Sequence, residues 1–406
     1  MEKKHQSVFG LAVIVAALGY FVDIYDLLLF SIIRVPSLRS LGLNDTAIAT
    51  DGLKIINIQM MGLLVGGIFW GILGDKKGRL NVLYASIILY SLGNIANGFV
   101  HTVNQYAAVR FITGFGLAGE LGAGITLVSE LLSKEKRGIG TSLVAGIGLT
   151  GAVFAFFIKQ NFEWRTCYFI GGGLGFLLLF LRVGVLESGM FKSLQESNTA
   201  RGDFFMLFAN GKRLKKYLTA IFLGLPTWYV IGILVSFSKE FAAKMNVQGV
   251  VDPGKAVMYA YAAISIGDVA VGFISQWMKS RKKAVYLFYG LTIVGICWFF
   301  NLQGQTVNTF YAACALLGFA TGFWAMFVTM AAEQFGTNIR ATVATTVPNM
   351  VRGSLNLVSL LFVSMQPSQG YLKSGWKTGI VVMIIGIISL LFTEETFGKD
   401  LNYIEE

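Results

Sequence analysis

Hydrophobic positions in this chain neither alternate nor recur as a narrow stripe. They come in blocks of about twenty, each nearly free of charge, with short polar stretches between them. A hydrocarbon core about 30 Å thick takes about 20 apolar residues per helix. At that length the sequence yields twelve windows: 8–33, 48–74, 80–100, 105–131, 139–158, 167–186, 215–238, 256–278, 284–302, 308–332, 342–366 and 376–393. None shows the period-two alternation or the roughly ten-residue length of a barrel strand, and a backbone in lipid has to satisfy its own hydrogen bonds. The expected fold class is therefore all-α integral membrane, with twelve transmembrane helices. The first window, after "MEKKHQ", is too long for a secretory leader, carries Asp23 and Asp26, and lacks a small-residue cleavage pattern. It is read as the first span.

Composition agrees with this pattern. The chain is 55% hydrophobic and only 14% charged, where soluble domains carry roughly 25% charged residues. Its 48 glycines would be out of place in soluble helices, but membrane helices use small residues to approach closely, so "GLLVGGIFWG" and "GIGTSLVAGIGLTG" are expected packing faces. The net charge of +11 changes the picture only through its placement. With the N-terminus inside, twenty of the 33 Lys and Arg residues fall in inside-facing segments and nine in outside-facing ones. The remaining four, Lys54, Arg110, Arg182 and Arg352, lie within spans. The positive-inside rule then predicts that both termini are cytoplasmic, and the basicity reads as topology, with no nucleic acid partner. Cys167, Cys297 and Cys314 lie in spans without metal or redox spacing, and His5 and His101 are isolated, so neither a metal nor a cofactor is expected.

Only one connection is long. Residues 187–216, "ESGMFKSLQESNTARGDFFMLFANGKRLKK", are polar and basic and separate six windows from six. The expected organisation is an N-terminal six-helix bundle over 1–186, a cytoplasmic linker over 187–216 lying along the headgroups, and a C-terminal bundle over 217–406. The halves echo each other: "ELLSKEKRG" and "EQFGTNIRA" place Glu130 and Arg137, and Glu333 and Arg340, at the same spacing with an offset of 203 residues. The same offset carries Asp75–Arg79 onto Met278–Lys282, a second short basic loop. Such parallel repetition is what a two-bundle transporter shows.

Between the second and third windows stands "GILGDKKGR", with Gly71, Asp75, Gly78 and Arg79 spaced G-x-x-x-D-x-x-G-R. Its glycines allow a tight turn, Asp75 can face the positive N-terminal end of a neighbouring helix, and Arg79 can bind a carboxylate. This loop resembles the signature loop of the major facilitator superfamily, and the resemblance covers essentially the whole chain. It implies two bundles working by alternating access, with these residues latching their cytoplasmic ends. It also implies latch roles for Glu130 with Arg137 and for Glu333 with Arg340, the alternative being that these charges only enforce topology. The second-half loop departs from the pattern, with Met278 in the aspartate position. More narrowly, "VDIYDLLLF" in the first window and "RFITGFGLAGELGAGITLVSE" in the fourth resemble the metabolite:proton symporters, with Asp23 and Ile24 replacing the usual Glu-Trp.

An ionisable side chain at bilayer depth costs roughly 2.5–3.5 kcal/mol on insertion scales, so each one is a candidate functional group. Glu120 lies about fifteen positions into its span and so near the midplane, and Asp268 and Arg352 are similarly deep. Asp23 and Asp26, one turn apart, share a helix face. For proton coupling the order of expectation is Asp26, Asp23, then Glu120; each could instead pair with a basic group to hold helices together. Arg352, then Lys54 and Arg110, are candidate contacts for an anionic substrate, because a guanidinium fork in a dry cavity suits a carboxylate or phosphate. Arg352 could also neutralise Asp268 or Glu120. Asp268 is a candidate cavity residue, and in the resembled fold Tyr20, Tyr25, Trp228, Tyr229, Trp324 and Phe327 lie on spans that line the cavity.

Without a nucleotide-binding loop, an ion gradient is the available energy source. The sequence therefore predicts a proton-coupled secondary transporter of a small polar metabolite, an organic anion ahead of a sugar or zwitterion. Its partners would be substrate, protons and the lipid bilayer of an inner or plasma membrane, and a monomer is expected. A proton-driven exporter of drugs or metabolites, and a membrane receptor that has lost transport, are the alternatives. No Ser-His-Asp grouping, HExxH or haem signature points to an enzyme.

Overall fold

The structure is a computed structural model and describes residues 10–132, 134–181, 203–399 and 403–405. Within them lie the helices α1 Leu11–Ser40, α2 Asp45–Lys77, α3 Arg79–Asn97, α4 Val103–Leu117, α5 Glu120–Leu131, α6 Lys134–Leu149, α7 Gly151–Asn161 and α8 Trp164–Leu181. The second half holds α9 Gly211–Tyr229, which runs on as a wider π turn over Val230–Val235, then α10 Ser238–Lys244, α11 Pro253–Met278 and α12 Arg281–Phe300. It closes with α13 Val307–Ala320, α14 Trp324–Glu333, α15 Arg340–Gly353, α16 Leu355–Gln369 and α17 Tyr371–Phe392. Among the described residues the extended structure is one isolated bridge between Gln248 and Thr306.

Ten of these rods, counting interrupted helices as one, are long and apolar enough to cross a membrane. The other two expected windows also fold as helices, at α3 and at α15 with α16. These carry more polar residues, for example "TVATTVPNMVR" in α15. The fourth and tenth windows are each broken in the middle, after Leu117 and after Ala320, positions related by the 203-residue offset of the sequence repeat. The fifth and eleventh break at Thr150 and Ser354, within one residue of that offset. The repeat is therefore present in the backbone as well as in the loops.

Two boundaries differ from expectation for identifiable reasons. The first window ends at residue 33, but α1 continues to Ser40 through Pro36, and its Arg34 is buried against a carboxylate from the other half. The linker was expected to reach residue 216, whereas α9 already opens at Gly211, where the Asn210 side chain accepts the Lys212 N–H. Residues 182–202 of that linker lie outside the described residues.

The halves meet along two seams, α2 against α15 and α6 against α11. Glycines set the first. A Cβ on Gly67 would stand 2.7 Å from that of Asn349, and one on Gly71 would stand 3.1 Å from the Thr342 backbone. Side chains there would push the helices apart, which accounts for the small-residue face of α2. Gly78 ends α2 at φ +100°, a conformation that L side chains rarely adopt, and so permits the tight turn into α3.

The segment after α17 folds back on the second half. Glu395 accepts from the Ser280 hydroxyl and from the Arg281 N–H at 3.0 Å, and the Tyr403 carbonyl accepts from Thr337 N at 2.9 Å. Burial opposes ionisation of Glu395. The hydrogen bonds from Ser280 and from the Phe397, Arg281 and Lys282 N–H groups outweigh it and hold the carboxyl below the usual glutamate range.

Candidate functional site

The deep charges converge where α1 of the first half faces α15 of the second. Asp23 and Arg352 are 0% and 1% exposed, and Arg352 Nη2 lies 3.9 Å from Asp23 Oδ2 across the interface. That is ion-pair range but longer than a hydrogen bond. Among the described residues, neither Asp23 oxygen, nor Arg352 Nε, nor the Tyr20 hydroxyl has a hydrogen-bond partner. A buried polar group left unpaired costs about 1–3 kcal/mol, which sets these four atoms apart from the packed interior. Arg352 also lies 5.6 Å from the centroid of Trp324, within cation–π reach.

Tyr20, Trp228, Trp324 and Arg352 line one small cavity together with Thr227 and Tyr261. Trp228 and Trp324 meet edge to face at 6.3 Å. The free space is about 10 Å³, enough for roughly one water. The site is closed around its polar atoms.

Contacts between the halves close both ends of the molecule. At one end Asp75 is fully buried and accepts from the Thr342 N–H and hydroxyl, both at 2.7 Å, and from the Ala341 N–H at 3.2 Å. A carboxylate thus sits on the N-terminus of α15, where the helix dipole favours it. At the opposite end Arg34 donates to both oxygens of Glu240, at 2.9 and 3.2 Å, and to the Ser236 carbonyl. Lys159 to Asp252 at 2.8 Å and Lys239 to Asp45 at 3.3 Å cross the same seam nearer the surface. Between the ends, Asn349 accepts from Arg352 Nη1 at 3.2 Å and donates to the Ala118 carbonyl of the other half at 2.8 Å.

The sequence matches the Major Facilitator Superfamily over residues 9–355. The chain belongs to that superfamily. It is 26% identical over 423 residues to the niacin transporter of Acinetobacter baylyi, covering 96% of this chain and 95% of that one. It is 25% identical over 297 residues to the 3-(3-hydroxy-phenyl)propionate transporter of Escherichia coli, covering 71% of each. Its backbone superposes on the solved proton:xylose symporter bound to 6-bromo-6-deoxy-D-glucose with a TM-score of 0.78 at 16% identity, over 97% of each chain. Membership places the chain among multi-pass membrane transporters rather than enzymes.

In this facilitator the residues singled out from the sequence separate into distinct places. Asp26 is fully buried with the Asn94 side chain beside its carboxyl, and among the described residues neither of its oxygens has a partner in hydrogen-bond geometry. Beside it Arg110 donates to the Asp26 backbone carbonyl at 3.0 Å and to Gln59 Oε1 at 3.2 Å, which ties α1, α2 and α4 together outside the cavity. Tyr25 donates to the Cys167 carbonyl at 2.7 Å and so joins α1 to α8. Tyr229 likewise donates to the Gly375 carbonyl at 2.7 Å, while Phe327 packs on Trp324 with ring centroids 4.6 Å apart. Asp268 does not reach the cavity lining. It accepts from the Ala325 N–H at 3.1 Å and caps α14 where the tenth window breaks. Lys54 has an exposed side chain, while its neighbours Gly52, Ile55 and Ile56 on α2 are buried. Glu120 is 2% exposed and opens α5 directly after the break in the fourth window.

Of the charges expected beside Asp75, Glu333 is buried against Arg281, 2.7 Å away within the second half. Arg340 opens α15 and donates to the Phe335 carbonyl at 3.3 Å. The side chains of Arg79, Glu130 and Arg137 lie outside the described residues. Thr227, Tyr261 and Asn349 were not anticipated, because neutral polar residues leave no mark in a hydropathy scan. Arg34, one residue past the first window, reads from the sequence as a loop charge.

Proposed function

We propose that this facilitator is a proton-coupled symporter of small organic carboxylates, with twelve membrane helices in two six-helix bundles and both termini in the cytoplasm. The unpartnered Arg352 Nε and Tyr20 hydroxyl of one closed cavity, with the unpartnered Asp23 carboxylate beside the same guanidinium, carry the reading. A substrate carboxylate takes the Arg352 fork, and the surrounding aromatic rings take an apolar body. Because Asp23 faces the same guanidinium, a second anion is accommodated only when Asp23 is protonated, so substrate and proton enter together. This geometry moves Asp23 ahead of Asp26, because Asp23 faces the guanidinium that lines the cavity, whereas the arginine beside Asp26 lies outside that lining. Niacin and hydroxyphenylpropionate, which name two relatives, are both aromatic carboxylic acids.

Nicotinate and nicotinamide differ in the carboxylate alone and so test the reading. In proteoliposomes with an inward proton gradient, nicotinate or a related aromatic acid should accumulate, and the matching amide should neither accumulate nor compete. Equal handling of acid and amide would overturn the anion assignment.

With the termini inside, the Asp75 end is the cytoplasmic one, and Asp75 on the N-terminus of α15 is its latch. Asp75→Asn keeps the shape but loses the charge, which at a buried helix end is worth about 1–2 kcal/mol. The expected result is normal yield, slower transport, and a larger distance between spin labels on the inner ends of α2 and α15. Unchanged transport would show that the contact has no part in gating.

A further inference from the structure

We propose that the cavity at the Arg34 end is a capture site for small organic carboxylates, and that an arriving carboxylate loosens the seam by taking Lys159 from Asp252. The inference rests on the outward orientation and the anionic substrate argued above. The cavity has a volume of about 550 Å³ and straddles both halves. Arg39 and Lys159 enter it from the first half and Lys239 from the second, against Asp252 as the single carboxylate in its lining. Valine and proline side chains from both halves form the rest of the wall. Arg39 and Lys239 share Asp45, and Lys159 pairs with Asp252, so the three cations outnumber these carboxylates by one, and beside an apolar wall they suit a carboxylate attached to a small apolar body.

The ion pairs at the cavity are of the exchangeable kind. Lys159 and Asp252 side chains are 23% and 41% exposed, and those of Lys239 and Asp45 are 33% and 69% exposed. Pairs this wet contribute about 0–1 kcal/mol. Asp252 remains satisfied when Lys159 leaves, because it caps α11 through the Gly254 N–H at 2.9 Å. Arg34 with Glu240 belongs to the same seam, and its guanidinium is fully buried. A carboxylate can therefore replace the wetter bonds between the halves first and leave that pair to hold until substrate is in place.

The test uses the full chain in phosphatidylcholine nanodiscs, where no lipid carries net charge, with fluorobenzoate binding followed by fluorine NMR. Asp252→Asn frees Lys159, and Asn caps a helix as well as Asp does. It should tighten binding about threefold to fivefold, the scale of one partly exposed ion pair. Lys159→Gln should weaken binding by a similar factor, both seam variants being read in the Arg352→Lys background, where the central cavity no longer competes for the probe. If the pair were only a structural clasp, both seam variants would shift binding in the same direction, which overturns the inference. No binding to the unaltered protein would overturn it as well. Loss of binding on Arg352→Lys alone would place the probe in the central cavity, sinking the capture site while supporting the Arg352 fork. Binding with the expected signs in a protein that accumulates no carboxylate would leave the capture site standing and remove the transport reading.

Discussion

Arg352→Lys is expected to weaken binding of an aromatic carboxylate by about tenfold or more, which is at least about 1.4 kcal/mol, with the melting temperature nearly unchanged. Lysine keeps the charge beside Asp23 but cannot present two parallel N–H donors to one carboxylate. It also loses the planar face set against Trp324 and the hydrogen bond to Asn349. The competing account makes Arg352 a structural counter-ion. It predicts a different split: a lower melting temperature, recovered when Asp23 is neutralised as well, and no selective loss of affinity. Ligand titration and thermal unfolding on the same preparation separate the two.

Asp23→Asn is expected to abolish accumulation driven by a proton gradient while sparing exchange of substrate between the two sides. The amide is close in shape to the protonated acid, so Arg352 is left permanently available to the substrate and the cycle no longer needs a proton. Asp26→Asn should be the milder variant on this account. The nearest guanidinium to Asp26 is Arg110, which is held by a backbone carbonyl and Gln59, and Asp26 is packed against Gly171, where a Cβ would lie 2.4 Å from its Oδ1. If both activities fall together with yield, the aspartate is a packing residue. If accumulation survives Asp23→Asn and fails in Asp26→Asn, the coupling group is the other member of the pair.

The layout was legible because lipid imposes it: a twenty-residue apolar block bounded by charge has few other meanings. Asp75 was legible as well, since an aspartate held between glycines at a helix end needs a positive partner, and the N-terminus of α15 supplies one. Other features depend on partners far along the chain. Arg34 finds Glu240 some 206 residues away, so a scan that stops at the first arginine and the following proline counts it as a loop charge. Asp268 looks like a site residue from depth alone, but the break that exposes the α14 N–H groups has no distinct signal in a chain glycine-rich throughout. Lys54 is legible in depth and not in direction. Depth along a helix does not tell which way a side chain points, and on α2 the small residues that mark the inward face are other ones.

The central claim is that substrate and Asp23 compete for one guanidinium. Its most direct measurement is the affinity for an aromatic carboxylate as a function of pH, from about 6 to about 9, on the unaltered protein and on Asp23→Asn. Raising the pH deprotonates Asp23, the ionised carboxylate holds Arg352, and the substrate must displace it. Affinity should therefore fall with rising pH, approaching about tenfold per pH unit for one coupled proton. The Asp23→Asn protein should bind with little dependence on pH. An affinity that is flat with pH in the unaltered protein, or equally steep in both, would contradict the account.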